Sequence, residues 1–394
     1  MSRKITAALL LVSCVTLSTG KDASAQGNPH REPCGTTGDY GVEDAPGNAF
    51  DPDPLLEKQW ALDQMDVHEA WGLGVTGKHV TIALVDTGVD LTHPDLDGNL
   101  LEGIDLHPQD GECPGAQANE VPTDGHGTFS AGLLVAEAGN GIGIAGVAHD
   151  AELIPIEATE GWATSTTGFG LPFYPVEDPD AAARVALAID YAVENKADVI
   201  LLEVGLSPLI DPSIEQAVGK AIARAWGAGA VIVAPAVNSS AGTCFYPASD
   251  PHVLCAAATD HQGRPAYYSG LLASPTNINA LRAPGGFGWE RPEWERSGLA
   301  RFCNDENIWS TAPAFEGWGC EGAAYDAASG TSWSAAHVAG VAALLAGTGA
   351  DNTEILECLT STAFNPVTER RGIYDPIYGY GIVDADDALQ ACNA

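Results

Sequence analysis

Three nearly unbroken apolar runs, each closing on one polar side chain, constrain this chain more than any other feature. Val80-Thr81-Ile82-Ala83-Leu84-Val85 ends on Asp86, Val199-Ile200-Leu201-Leu202 ends on Glu203, and Val231-Ile232-Val233-Ala234-Pro235-Ala236-Val237 ends on Asn238. Such runs lack the alternation of a half-exposed strand and read as strands buried on both faces, as parallel sheets require. Residues 151–156 read as another strand. Residues 180–195, with Ala182, Val185, Leu187, Ile189 and Val193 apolar, read as a helix. Strands alternating with helices predict an α/β fold, a mostly parallel central sheet with helices on both faces.

Open sheets of this kind carry their functional groups at the carboxyl ends of the strands, so Asp86 stands where a catalytic acid is expected. Asp124-Gly125-His126-Gly127-Thr128-Phe129-Ser130 reads as a loop feeding a helix, with His126 at the junction. Gly330-Thr331-Ser332-Trp333-Ser334 runs into the small-residue stretch 335–345, which places Ser332 on the first turn of a long buried helix. A hydroxyl there sits among unpaired backbone N–H groups at the positive end of the dipole. Negative charge developing on an acyl oxygen would be stabilised at that point. Taken singly, the three read as a turn former, a surface histidine and a helix cap.

Taken together, in the order Asp, His, Ser and with these flanking residues, the segments resemble the catalytic segments of the subtilisin family of serine peptidases. The strand ending on Asn238 resembles the one that supplies that family's oxyanion asparagine. The resemblance covers residues 55–394 and implies a subtilisin-like fold and acyl transfer to Ser332. His126 would take the Ser332 proton and return it to the leaving amine, and Asp86 would fix the imidazole tautomer. The Asn238 amide and the Ser332 backbone N–H would hold the oxyanion. This chemistry needs no cofactor, and its partner is a peptide or protein substrate. For structural calcium, Asp95 and Asn140 sit where family ligands occur and Asp53 offers a third carboxyl; Asp95 and Asn140 are also ordinary turn residues.

Departures from the family pattern cluster at the expected substrate groove, formed by Glu203, Val204, Gly205, Val237, Phe245 and Trp333. Trp333 replaces the usual Met after the nucleophile, and Ala336 replaces the Pro before His337. Glu203-Val204-Gly205 stands where the family reads Ser-Leu-Gly; its backbone would pair with an extended substrate by strand addition. Val237 and Phe245 replace small residues, which would narrow the primary pocket toward small side chains. Glu203 either faces that pocket and selects Lys or Arg, or points to solvent. The insertions at 158–179 and 286–307 either shape the groove or are tolerated surface loops.

The chain opens with Met1-Ser2-Arg3-Lys4 and an apolar stretch, an export signal too short to span a membrane. Cleavage after Ala23-Ser24-Ala25 would give a signal of residues 1–25, whereas Leu11-Val12-Ser13-Cys14 reads as a lipoprotein box anchoring Cys14. Residues 26–54 form an irregular extension with no room for the folding prodomain common in the family, and 55–394 form the peptidase domain. Of nine cysteines, the eight beyond Cys14 suit an oxidising compartment. Proximity pairs Cys244 with Cys255, Cys303 with Cys320 and Cys358 with Cys392, leaving Cys34 with Cys113. A net charge of −36 argues against nucleic acid as a partner. The expected protein is a secreted, monomeric bacterial endopeptidase. The alternative is a catalytically impaired binding protein on the same fold, with its groove rebuilt.

Overall fold

The first apolar run forms strand β1 (Thr81–Asp86), buried at every position after the first. In the computed structural model, the described residues are 52–106, 125–159, 179–206, 211–238, 244–270, 272, 279–287, 304–313 and 324–393, all within one compact unit, Asp44–Ala394. Around β1 lie β2 (Ile104–Asp105), β3 (Glu152–Glu157), β4 (Val199–Leu202), β5 (Val231–Pro235), β6 (Val253–Thr259) and β7 (Asn279–Pro284). They form one seven-stranded sheet in the order β2-β3-β1-β4-β5-β6-β7, with every pairing parallel. The strand order reverses direction at β1, the kind of switch point where open α/β sheets place their sites. Asp86 closes that strand.

Helices cover both faces, as the alternation predicts. Helices α1 (Trp60–Gln64) and α2 (Val67–Gly72) precede β1, and α3 (His126–Val135) follows β2. α4 (Pro179–Glu194) and α5 (Pro212–Ala228) flank β4; α6 (Thr331–Ala346), α7 (Asn352–Thr362) and α8 (Ala385–Cys392) complete the chain. The core on one face joins Ile82, Leu84, Val199 and Leu201 to residues of α3 and α6, and the other joins Ala83, Val85, Ile200 and Leu202 to residues of α4 and α5. The two-residue period of the strands makes this division. α3 and α6 are apolar on all sides and almost wholly buried, with Ala, Gly and Ser keeping both thin enough to lie on the sheet.

Boundaries differ modestly from expectation. The helix expected over 180–195 is α4, and α5, α7 and α8 complete a helical set that periodicity flags only in part. A short antiparallel pair, β8 (Ile308–Thr311) with β9 (Tyr325–Ala328), leads into α6. Residues 378–385 meet Arg282 and Phe364 through single bridges at Ile382 before α8 begins. Small β10 (Phe364–Asn365) and β11 (Arg370–Arg371) stand beside them. Disulfides Cys244–Cys255 and Cys358–Cys392 are formed. The other two pairings, the leader, the extension up to Asp51 and most of both insertions lie outside the described residues.

Arg282, in the last strand of the sheet, is fully buried. Nε donates to the Ile377 carbonyl at 2.6 Å, Nη1 to Ala258 at 2.7 Å and Nη2 to Gly270 at 2.9 Å, so one guanidinium ties three segments to the sheet edge. Burial lowers its pKa to about 10, which leaves it charged at neutral pH. Arg282→Ala strands these carbonyls and opens a cavity, and is expected to cost about 3–5 kcal/mol in denaturant unfolding. Breaking the exposed Lys58–Asp305 pair with Lys58→Ala should cost less than about 1 kcal/mol. Equal losses would show that Arg282 is no anchor.

Candidate active site

Asp86 is buried at the end of β1, where its carboxylate collects donors. The Thr87 backbone N–H donates to Oδ1 at 2.7 Å, and the Ser130 hydroxyl reaches Oδ2 at 3.0 Å. His126 Nδ1 lies 2.8 Å from Oδ1 and 2.9 Å from Oδ2. This contact makes Nδ1 the donor to the carboxylate and leaves Nε2 on the side of the ring away from Asp86. Two glycines make the approach feasible. Gly125 enters α3 at φ 76°, the left-handed region, and a Cβ on Gly127 would fall 1.8 Å from the Gly88 carbonyl. The start of α3 is thereby pressed against the loop after β1.

Ser332 occupies the second residue of α6 and is 2% exposed. Ser332, His126, Asn238, Gly330 and Trp333 line one open cleft of about 200 Å³, so the serine, imidazole and amide face common space. The amide orientation of Asn238 is set from behind. Its Oδ1 accepts from the Thr331 N–H at 2.8 Å and stands 2.9 Å from the Thr331 hydroxyl, which also reaches the Ala236 carbonyl. Nδ2 is left as the amide's donor end, beside Gly330. Trp333 lies against His126, with ring centroids 4.8 Å apart, and against Phe129 at 4.1 Å.

The structure brings together Asp86, His126, Ser332 and Asn238. Of the expected groove residues, only Trp333 lines the cleft. Val204, Gly205 and Val237 are buried, Phe245 is half-buried, and none of the four is in the lining. Glu203 does not point to solvent, because the register of β4 turns it under α3 and α6, and it is 4% exposed. Neither carboxyl oxygen meets a donor in hydrogen-bond geometry. Burial pushes its acid well above the usual carboxylate range, opposed by His126 and the nearby Ser332 hydroxyl and reinforced by Asp86.

The sequence profile of the Subtilase family matches residues 77–381. The chain belongs to the subtilase family. This subtilase is 32% identical over 294 residues to the thermophilic serine proteinase of Bacillus sp. (strain AK1), covering 75% of this chain but only 59% of that protein's length. Thermitase of Thermoactinomyces vulgaris is 29% identical, over 79% of this chain and 90% of its own. Among solved structures, a protease from Pseudoalteromonas arctica superposes with a TM-score of 0.66 at 28% identity, covering 86% of this chain and 99% of that one. The subtilase identity makes the chain a serine endopeptidase.

Sequence reasoning missed the supports of this subtilase site. Ser130 lies one helical turn after His126, a spacing that could have revealed it. Thr331 was legible only as the neighbour of Ser332. His337 is buried, with Nδ1 2.8 Å from the Pro284 carbonyl; burial lowers its pKa to about 4 and keeps it neutral. It braces α6 against the end of β7.

Asp53, Asp95 and Asn140 do meet at one loop, but as a hydrogen-bonded clasp. Asp95 Oδ1 accepts from Asn140 Nδ2 at 2.7 Å, and Oδ2 from the Ile144 N–H and the Tyr325 hydroxyl, each at 3.1 Å. Asp53 accepts from the Gly139 and Asn140 backbone N–H groups, and Asn140 Oδ1 accepts from Ile142. Burial raises the Asp95 pKa to about 7. A calcium ion needs several charged or carbonyl oxygens free to converge, and this arrangement does not fit one. Dialysis against EDTA should therefore leave Tm within about 2 °C; a fall of about 10 °C would mean the loop rearranges around a bound cation.

Proposed function

We propose that this subtilase is an exported endopeptidase cleaving peptide bonds through an acyl-enzyme on Ser332. The observation that carries the reading is the buried Asp86 carboxylate on His126 Nδ1, with His126, Ser332 and Asn238 on one cleft. In this mechanism His126 Nε2 takes the Ser332 proton as Oγ attacks the carbonyl carbon. Asp86 offsets the charge of the imidazolium, and the Asn238 amide with the Ser332 N–H holds the oxyanion. Collapse expels the amine, which receives the proton from His126, and water repeats the sequence on the ester.

The substrate is an extended peptide or protein segment. A preference for small side chains before the cleaved bond rests on the bulk of Val237 and Phe245 in the sequence alone, since neither lines the cleft. Selection of Lys or Arg by Glu203 has less support, since that carboxyl is buried away from the cleft lining. Export rests on the charged and apolar start of the chain, by release after Ala25 or by lipidation at Cys14. No helix among the described residues is long and apolar enough to cross a membrane. We take the enzyme to act as a monomer without a cofactor in the bond cleavage. A binding protein with a rebuilt groove is the weaker reading, because Asp86 is hydrogen-bonded to His126 and Ser332 lines the same cleft as that imidazole.

Labelling with a fluorophosphonate should modify the wild type and spare Ser332→Ala; a folded wild type that resists the probe would favour the binding reading. Asn238→Ala should lower kcat about 10²–10³-fold with little change in KM, a magnitude measured on a family member. A change confined to KM would place Asn238 outside the oxyanion site.

A further inference from the structure

Glu203 has no part in the chemistry above, yet its place is fixed as firmly as that of Asp86. Ile82 stands opposite Val199, Leu84 opposite Leu201 and Val85 opposite Leu202. The ladder runs one step further, with the Glu203 N–H donating to the Val85 carbonyl at 3.0 Å. Asp86 and Glu203 therefore sit side by side at the carboxyl edge of the sheet. Because side chains alternate along a strand, both turn to the face holding Ile82, Leu84, Val199 and Leu201, which α3 and α6 cover. The groups facing Glu203 are Asp86 from β1, His126 from the first turn of α3 and Ser332 from the first turn of α6.

Both carboxyl oxygens are buried without a hydrogen-bond partner. An ionised carboxylate in that position lacks the donors that Asp86 has, and it stands beside another negative charge. As a neutral acid, Glu203 instead carries one O–H, and Ser332 Oγ can accept it while keeping its own proton for His126. As an anion it can only accept, and the Ser332 hydroxyl is the donor at hand. No covalent bond other than the carboxyl O–H changes between the two states, and that proton goes to solvent.

Resting on the reading of Ser332 as nucleophile, we propose that Glu203 is a positioning residue for it: protonated, it leaves the serine proton to His126; ionised, it draws that hydroxyl to itself and sets the alkaline limit of activity. Such a residue gives this subtilase a ceiling on pH, beside the acid limit imposed by protonation of His126.

The test is kcat/KM against pH for wild type, Glu203→Gln and Glu203→Ser, with the rate of fluorophosphonate labelling followed in parallel. Wild type should lose both activity and labelling on the alkaline side, and the variants should move that fall upward by about one pH unit or more while the acid limb stays in place. The serine variant keeps the test alive if glutamine does not fit. Superimposed alkaline limbs overturn the proposal, as does a shifted acid limb, which would mean that the carboxyl is already ionised at the optimum. Failure of the wild type to label at any pH would instead strike the nucleophile reading, and this proposal with it.

Ionisation can also be read without activity. A carboxyl whose folded pKa lies above its ordinary value of 4.5 favours the folded state below that value and withdraws the benefit as pH rises. Glu203→Gln should thus melt higher than wild type near pH 8, with the difference shrinking toward about pH 4. A difference independent of pH would show that Glu203 does not titrate on unfolding.

Discussion

The hydrogen bond between the Asp86 carboxylate and His126 Nδ1 is the contact on which the rest of this site depends. A buried carboxylate is costly unless donors surround it, and Asp86 has a backbone N–H, a hydroxyl and an imidazole around its two oxygens. Each donor comes from a different constraint. Thr87 follows Asp86 out of the strand, whereas His126 and Ser130 share a face of α3 one turn apart. That face can approach only because Gly127 carries no side chain against the Gly88 carbonyl. The charge at the end of β1 thus dictates where α3 begins and how closely it packs.

α6 solves a different problem, presenting the Ser332 hydroxyl to the cleft from inside a core. Its residues from Thr331 to Leu345 are buried, so no polar face is available to fix its rotation. Specific polar contacts do this instead: Thr331 to Asn238 at one end of β5, and His337 to the Pro284 carbonyl at the end of β7. Both lie within two turns of Ser332. The asparagine that would hold the oxyanion and the helix that carries the nucleophile are therefore positioned by one set of hydrogen bonds, and neither can shift alone. This coupling suits a site whose donors must stand ready before charge develops.

The strands were legible because burial on both faces leaves an unmistakable apolar run; Asp86, His126, Ser332 and Asn238 were legible only through the resemblance of their segments to the subtilisin family. The fate of Glu203 was not legible, since the residue that closes a strand can turn to either face and only the register with β1 decides it. Nor could the sequence separate a cation site from a clasp at Asp95, because the same side chains serve both. The Tyr325 hydroxyl that tips the balance comes from 230 residues away.

Trp333 connects this scaffold to the reaction. Its ring packs against both Phe129 and His126, so the imidazole is held by Asp86 through Nδ1 and by an aromatic neighbour. Rotation of His126 would cost both contacts, and an aromatic pair of this kind is worth about 0.5–1.5 kcal/mol. The same surface acts on charge. On the proposed mechanism, an imidazolium at His126 would lie 4.8 Å from the indole, tilted by 34°, and an electron-rich face at that separation favours the cation over the neutral ring. Asp86 also favours the cation, from the opposite side of the proton transfer. On the proposed mechanism, a bulky residue after Ser332 both lines the cleft and favours the cationic state of His126.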